Sequence, residues 1–341
     1  MDKIMISKKA VGAGKPVLII AEAGINHDGD IKRAHDLIDA AADSGADVIK
    51  FQTHLADKEM LNVSDTAVYL SESLFNLIKR MELTLDQHFE LKEHAVKKGL
   101  IFLSTPFSKE AVDLLEKVGV DAYKIGSGEL TNMPFLEYAA SKKKPMIIST
   151  GMSTVNEAET TVNMLKSKGV PLMIMQCTSQ YPTEYKNVFL KTINEYRERF
   201  KIPVGFSDHS QGNYMAFAAV TLGACAVEKH FTASRKWPGP DQQSSIEPDE
   251  LADLVKGIRA IENGLKGSKT LTEGEKGLQQ LFRESVVSLK NIPAETVITK
   301  DAVWVKRPGS GIPANELNNV IGKKAKKNIN TDQTISWEDV Y

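Results

Sequence analysis

A strand-like apolar run followed by a stretch of helical periodicity recurs eight times in this chain, and that repetition restricts the fold more than any other feature. The runs are Val17–Gly24, Asp47–Gln52, Leu100–Phe107, Ala122–Glu129, Pro145–Gly151, Pro171–Ser179, Pro203–His209 and Cys225–Thr232. The stretches between them carry helix-start signals. Thr84 with Gln87 and Thr154 with Glu157 read as capping boxes, Ser108 is placed to cap the next helix, and a last helix is expected over Pro248–Gly264. Each crossover must return the chain to the end where its strand began, so the alternation implies a parallel sheet. Residues 17–264 match the roughly 250 positions of a (β/α)8 barrel. An open doubly wound sheet would carry a glycine-rich first turn, and GINHDG after the first run is not GxGxxG. The predicted fold class is α/β, with a TIM barrel over residues 1–265.

Residues 266–282 read as a polar linker, and residues 283–341 as a small β-rich domain. That domain contains a faint duplication, KNIPAETVITKDAVW from Lys290 and KNINTDQTISWEDVY from Lys327, 37 positions apart. Two copies are too few for a solenoid but suit a pseudo-symmetric unit. Lys plus Arg number 43 and Asp plus Glu 44, which argues against an extended nucleic-acid surface. With two cysteines, Cys177 and Cys225, and no CxxC pair, no disulfide framework or cysteine zinc site is expected, and both read as small core residues. No apolar stretch approaches 18 residues, so the chain reads as cytoplasmic, with no membrane partner.

In a (β/α)8 barrel the chemistry lies at the C-terminal ends of the strands. Here those ends offer Glu22, Asn26, Lys50, Gln52, Thr105, Lys124, Ser127, Glu129, Ser149, Thr150, Thr178, Ser179, Tyr181, Ser207, Asp208, His209, Glu228 and His230. Lys50 and Gln52, Ser207 and His209, and Glu228 and His230 stand two apart, so each pair shares a face. A barrel that merely packs would not place lysines and carboxylates inward, because burying them without a ligand is costly. Two lysines with the hydroxyls of Thr105, Ser127, Ser149 and Ser207 make a receptor for a phosphorylated anion. Salt bridges to Glu22 or Glu129 are the competing reading for either lysine. His209 and His230 end adjacent strands and can share a divalent ion, the alternative being two hydrogen-bonded structural histidines. His27 is a third candidate ligand. No partner is evident for His35, His54, His88 or His94, and His88 and His94 are expected on a solvated helix face.

The motifs EAGINHDG, FQTH, STPFS, YKIGSGE, ISTGM, QCTSQYP, GFSDHS, EKHFT, PGPD and WVKRPG follow the order seen in bacterial sialic acid synthases, which the chain resembles over essentially its whole length. The resemblance implies condensation of phosphoenolpyruvate with N-acetylmannosamine to N-acetylneuraminate and phosphate, and an antifreeze-like (SAF) domain after the barrel. It implies a divalent metal, preferably Mn2+, on His209 and His230. It implies phosphoenolpyruvate contacts from Lys50, Thr105, Lys124, Ser127, Ser149 and Ser207, with Ser179 in the same pocket. Glu22, Gln52, Tyr181 and Asp241 match sugar-holding positions, and Arg307 would reach into the partner barrel of a domain-swapped homodimer. Glu22 and Glu129 are the candidates for moving protons, beside Lys50 as a catalytic cation, and Glu228 is expected to orient a histidine or structure the site.

The chain departs from the sialic acid pattern at Phe51, where His is common, and at Ser179, where Asn is frequent. The Thr53–Asp86 connection, expected to contain a helix and to wall the sugar site, is shorter than that pattern. PGPD at Pro238–Asp241 argues against the pseudaminic branch. The alternative acceptor is the 2,4-diacetamido-2,4,6-trideoxymannose of the legionaminic branch. Readings of other classes are a non-catalytic sugar- or ice-binding protein, and a Schiff-base aldolase using Lys124, which leaves the histidine pair unexplained.

Overall fold

The computed structural model describes residues 3–63 and 72–341. The chain divides into two compact units, Met1–Lys266 and Gly267–Tyr341.

The first unit opens with an antiparallel hairpin, β1 (Lys3–Ile6) and β2 (Lys9–Gly12). Eight parallel strands follow: β3 (Leu18–Gly24), β4 (Val48–Thr53), β5 (Ile101–Pro106), β6 (Tyr123–Ile125), β7 (Met146–Ser149), β8 (Leu172–Cys177), β9 (Val204–Asp208) and β10 (Ala226–His230). They pair in the order β5-β4-β3-β10-β9-β8-β7-β6. The edge strands β5 and β6 lie side by side without a regular ladder, so the ring is a nearly closed TIM-like barrel, as the alternation predicts. Helices lie between the strands, and the capping boxes at Thr84 and Thr154 and the Ser108 cap all form. The last barrel helix spans Pro248–Gly264.

Strand alternation sorts the side chains into two sets. Ile19, Ile49, Phe51, Ile148, Phe206 and Val227 pack outward with the helices. Leu18, Ile20, Val48, Leu103, Ala122, Ile147, Met173, Met175 and Ala226 form a separate inner cluster at the N-terminal half of the lumen. Ile4, Ile6 and Val11 of the hairpin join that inner cluster and plug the barrel floor. The eightfold alternation predicts no strand in this segment, although KIMI alternates exposed and buried positions. Further along the same lumen-facing rows the residues become polar: Glu22, Lys50 and Gln52, Thr105, Lys124, Ser149, Cys177, Ser207, and Glu228 and His230. Apolar floor and polar mouth are thus set by position along each strand.

The second unit holds a helix, Glu273–Phe282, within the stretch expected as polar linker. Its start is a capping box of Thr272 and Glu275. The strands β11 (Ser285–Ser288) and β12 (Val303–Lys306) follow, over a core that includes Val286, Ile292, Ile298, Ile329 and Ile335. The duplication is visible here. Ile292 bridges Ile329, the same position of each copy, and matching 3-10 turns fall at Lys300–Ala302 and Trp337–Asp339. Among the described residues no helix is long and apolar enough to cross a membrane.

Candidate active site

Four buried charges cross the lumen above the apolar floor. Lys50 Nζ lies 2.6 Å from Glu22 Oε2 and 3.7 Å from Glu228 Oε2, and donates to Thr105 Oγ1 at 3.0 Å. Lys124 Nζ donates to Ser149 Oγ at 2.6 Å and lies 3.4 Å from Glu228 Oε1, which also accepts from Ser207 Oγ at 3.0 Å. The salt bridge to Glu22, the competing reading on the sequence, forms at Lys50, and Glu228 joins both lysines in one network. Glu228 is its centre, bridging both lysines, a place the sequence reading did not give it.

The two carboxyls are driven apart. Burial raises Glu22, with Lys50 pulling against it and Glu228 reinforcing it. Burial would raise Glu228 too, but the Lys124 and Lys50 ammoniums outweigh burial and hold it low. One carboxyl that gains a proton readily beside one that keeps its charge is the arrangement found where protons are moved.

Beside the lysines, the β6 and β7 ends form a hydroxyl cradle. Ser127 Oγ accepts from Gly151 N–H at 3.0 Å. A Cβ on Gly151 would collide with Ser179 Oγ and come within 2.7 Å of Ser127 Oγ, so glycine is what lets the two serines converge. Cys177 is a small buried residue, as expected, but it faces the site and not the apolar floor. Its thiol lies 3.6 Å from Ser127 Oγ and 3.9 Å from His209 Nδ1, on the lumen face. Cys225 packs against Met173 in the floor, as expected.

His209 and His230 come together, their ring centroids 5.3 Å apart. His209 Nδ1 donates to the Thr178 carbonyl at 2.8 Å, which leaves Nε2 with a free lone pair. His230 Nδ1 is buried without a hydrogen-bond partner, and Asp241 Oδ2 stands 3.7 Å away. Among the described residues no group of three or more His, Cys, Asp or Glu forms a closed cage. Two imidazoles, one with an orphaned nitrogen, fit a divalent ion whose remaining positions are open to substrate and water. Behind them, outside the lumen, Lys229 Nζ binds Asp208 Oδ2 at 2.8 Å and ties the two strand ends together.

A cavity of about 1140 Å³ opens over this layer, lined by Gln52, Glu129, Ser179, Tyr181, His230 and Asp241 on its polar side. Tyr181 packs on the His209 ring at 4.2 Å. Gln52 Nε2 donates to Glu22 Oε1 at 3.1 Å, and a Cβ at Gly24 would lie within contact distance of Gln52, Glu22 and Asp241 together. Glu129 sits apart from the lysines, accepting from Asn132 Nδ2 at 2.7 Å. The opposite wall is apolar: Ile25, Met60, Leu74, Leu77, Ile78 and Phe107. Part of it comes from the Thr53–Asp86 connection, whose described portions hold helices Ala56–Glu59 and Leu74–Met81; residues 64–71 lie outside the described residues. Arg307 belongs to the second unit, its guanidinium 5.5 Å from the Phe282 ring centroid.

All four histidines expected without partners have them: His35 Nε2 meets Glu90 Oε1 at 2.7 Å and His94 Nε2 meets Asp39 Oδ1 at 2.6 Å. His88 is buried, not solvated, between Thr53 Oγ1 and the Thr84 carbonyl. His54 has partners, Glu59 and Gln52.

Residues 37–270 match the NeuB family and residues 283–340 the SAF domain. The chain belongs to the NeuB family. Within it, the chain is 38% identical to the N,N'-diacetyllegionaminic acid synthase of Legionella pneumophila, over 97% of both chains. It is 40% identical to that of Campylobacter jejuni, over 94% of this chain and 99% of the other. The N-acetylneuraminate-9-phosphate synthase of Homo sapiens is 34% identical, over 96% and 94%. Among solved structures, the sialic acid synthetase of Leptospira borgpetersenii superposes with a TM-score of 0.74 at 34% identity, covering 81% of this chain and 94% of that one. This NeuB-family chain is thus a nonulosonic acid synthase of the phosphoenolpyruvate-condensing type, with a C-terminal SAF domain.

Proposed function

We propose that the chain condenses phosphoenolpyruvate with 2,4-diacetamido-2,4,6-trideoxymannose, releasing phosphate and forming N,N'-diacetyllegionaminate. The observation that carries the reaction class is the buried Lys50–Glu22–Glu228–Lys124 network with its serine cradle beneath a sugar-sized cavity. Two observations favour this sugar over N-acetylmannosamine. Legionaminic acid synthases are 38% and 40% identical, against 34% for the human N-acetylneuraminate-9-phosphate synthase. The apolar wall of Met60, Leu74, Leu77 and Ile78 also suits a 6-methyl and a second acetamido group better than a hydroxymethyl and a hydroxyl. N-acetylmannosamine, the first expectation from the sequence, is the second reading, favoured by the sialic acid synthetase likeness.

Lys50 and Lys124 hold the anionic groups of phosphoenolpyruvate, and Thr105, Ser127, Ser149, Ser179 and Ser207 supply directional hydroxyls. Gln52, Tyr181 and Asp241 hold the open-chain sugar, with Glu22 at the junction of the two substrates. C3 of phosphoenolpyruvate bonds to the aldehyde carbon, water adds at C2, and phosphate leaves by C–O cleavage. Glu22 takes one proton of that water and returns it to the alkoxide formed from the aldehyde, and the remaining C2 hydroxyl proton leaves with phosphate as the ketone forms; its raised affinity for protons suits the task, and it borders both Lys50 and Gln52, whereas Glu129 stands at the rim. A divalent ion, Mn2+ in our reading, held by His209 and His230 would polarise the aldehyde. In our reading Arg307 completes the sugar site from the partner of a domain-swapped homodimer. The test is kcat/KM with each sugar: the diacetamido sugar should exceed N-acetylmannosamine by at least about tenfold, and the reverse order would return the chain to sialic acid synthesis.

A further inference from the structure

His54 lies outside every role assigned so far, yet its ring is held on three sides. It stacks on Phe107 with centroids 4.2 Å apart and planes 8° from parallel. Its Nδ1 is 2.8 Å from Glu59 Oε1, and its Nε2 is 3.0 Å from Gln52 Oε1. Glu59, at the end of the Ala56–Glu59 helix, is as buried as the ring it holds.

The direction of these bonds follows from what each group can do. A carboxylate only accepts, so Nδ1 of His54 donates to Glu59. Gln52 has an amide with one accepting and one donating end, and its far end meets Glu22 Oε1, another acceptor. The NH2 must therefore face Glu22 and the carbonyl must face His54. His54 thus lies between two oxygens, the Glu59 carboxylate and the Gln52 carbonyl.

We infer that His54, braced by Glu59 and Phe107, is a positioning residue that anchors the carbonyl end of the Gln52 amide and so holds its NH2 end in place at the sugar site. Without it, the amide is held only through Glu22, and the donor presented to the cavity is no longer fixed. Gln52 Nε2 makes one bond to protein among the described residues, so its second N–H is left for an acceptor on the sugar, a hydroxyl or an acetamido carbonyl. The signal in the sequence is the spacing Gln52, His54, Glu59, with His54 two residues along the strand row from Gln52.

This inference rests on the synthase reading above, and the test separates the two. His54→Phe keeps a ring on Phe107 and removes both ring nitrogens. It should raise the sugar KM about tenfold, the effect of one lost hydrogen bond, with the phosphoenolpyruvate KM within about twofold of wild type. Gln52→Ala should do the same, and the double variant should be no worse than Gln52→Ala, since His54 acts through Gln52. Glu59→Gln gives a milder effect in the same direction, also absent in the Gln52→Ala background, and serves if His54→Phe does not fold. Independent effects, multiplying to about a hundredfold in the double variant, would overturn the inference, as would an equal rise in both KM values. Wild-type protein without turnover on either sugar would overturn the synthase reading and this inference with it.

Discussion

Replacing Lys124 with methionine isolates the anion seat. Methionine keeps an unbranched stem and removes the ammonium that donates to Ser149 and faces Glu228. Lys50, Lys124, Glu22 and Glu228 are all buried and their charges cancel, so the variant leaves one carboxylate in excess in the lumen. Removing one partner of a buried pair costs about 3–5 kcal/mol. For a unit of this size that lowers the melting midpoint by on the order of 10 °C. Glu228→Gln costs a similar amount with the opposite sign of charge, leaving one ammonium too many. The two variants then part company when phosphoenolpyruvate is added to a thermal melt. The anion supplies the negative charge that Glu228→Gln lacks and should recover several degrees, more than it adds to wild type, because ligand that binds only the folded state stabilises it. Lys124→Met should recover almost nothing. Equal rescue of both variants, or melting points within a degree of wild type, would refute the view that these lysines are a charge-balanced seat awaiting an anion.

Three further outcomes are expected. Gly151→Ala should raise the phosphoenolpyruvate KM by about tenfold or more, because its Cβ displaces the Ser127 and Ser179 hydroxyls; steady-state kinetics with the sugar saturating reads this directly. Stability should fall on acidification through His27. Burial pushes its ring from 6.5 down to about 4, and its Nδ1 accepts from Gly29 N–H, so the folded chain binds fewer protons than the unfolded one between those pH values. Its contribution is present above about pH 6.5 and declines by about 2 kcal/mol from pH 7 to pH 5; denaturant titrations at both values should show wild type losing about that much more than His27→Gln. Chelator treatment should abolish turnover and added Mn2+ restore it, while His209→Ala should lose Mn2+ binding measured by electron paramagnetic resonance.

Much of this was legible because one rule, alternation along a strand, governs both fold and site. The run DVIKFQ places Lys50 and Gln52 in one row by spacing alone, and EKH does the same for Glu228 and His230. What escaped was set by partners far apart in the chain. Glu228 looks like one more carboxylate until Lys50 and Lys124, from two other strands, are seen on either side of it. His88 has the periodicity of a helix surface, and only the Thr53 hydroxyl, 35 positions away, explains its burial. Cys177 reads as core because it is small and lies in a strand, yet the row that carries Met173 and Met175 into the floor carries it to the mouth. The hairpin at residues 3–12 was missed because four-residue strands give too short a pattern; its purpose is visible only once the barrel floor needs closing.

The most direct test of the account follows the oxygen that bridges carbon and phosphorus. The protein would be incubated with Mn2+, the diacetamido sugar, and phosphoenolpyruvate carrying oxygen-18 in that bridge, with products read by mass spectrometry. The account predicts a nine-carbon acid without the label and phosphate that carries it. Unlabelled phosphate, or phosphate released with no nine-carbon acid, would contradict it.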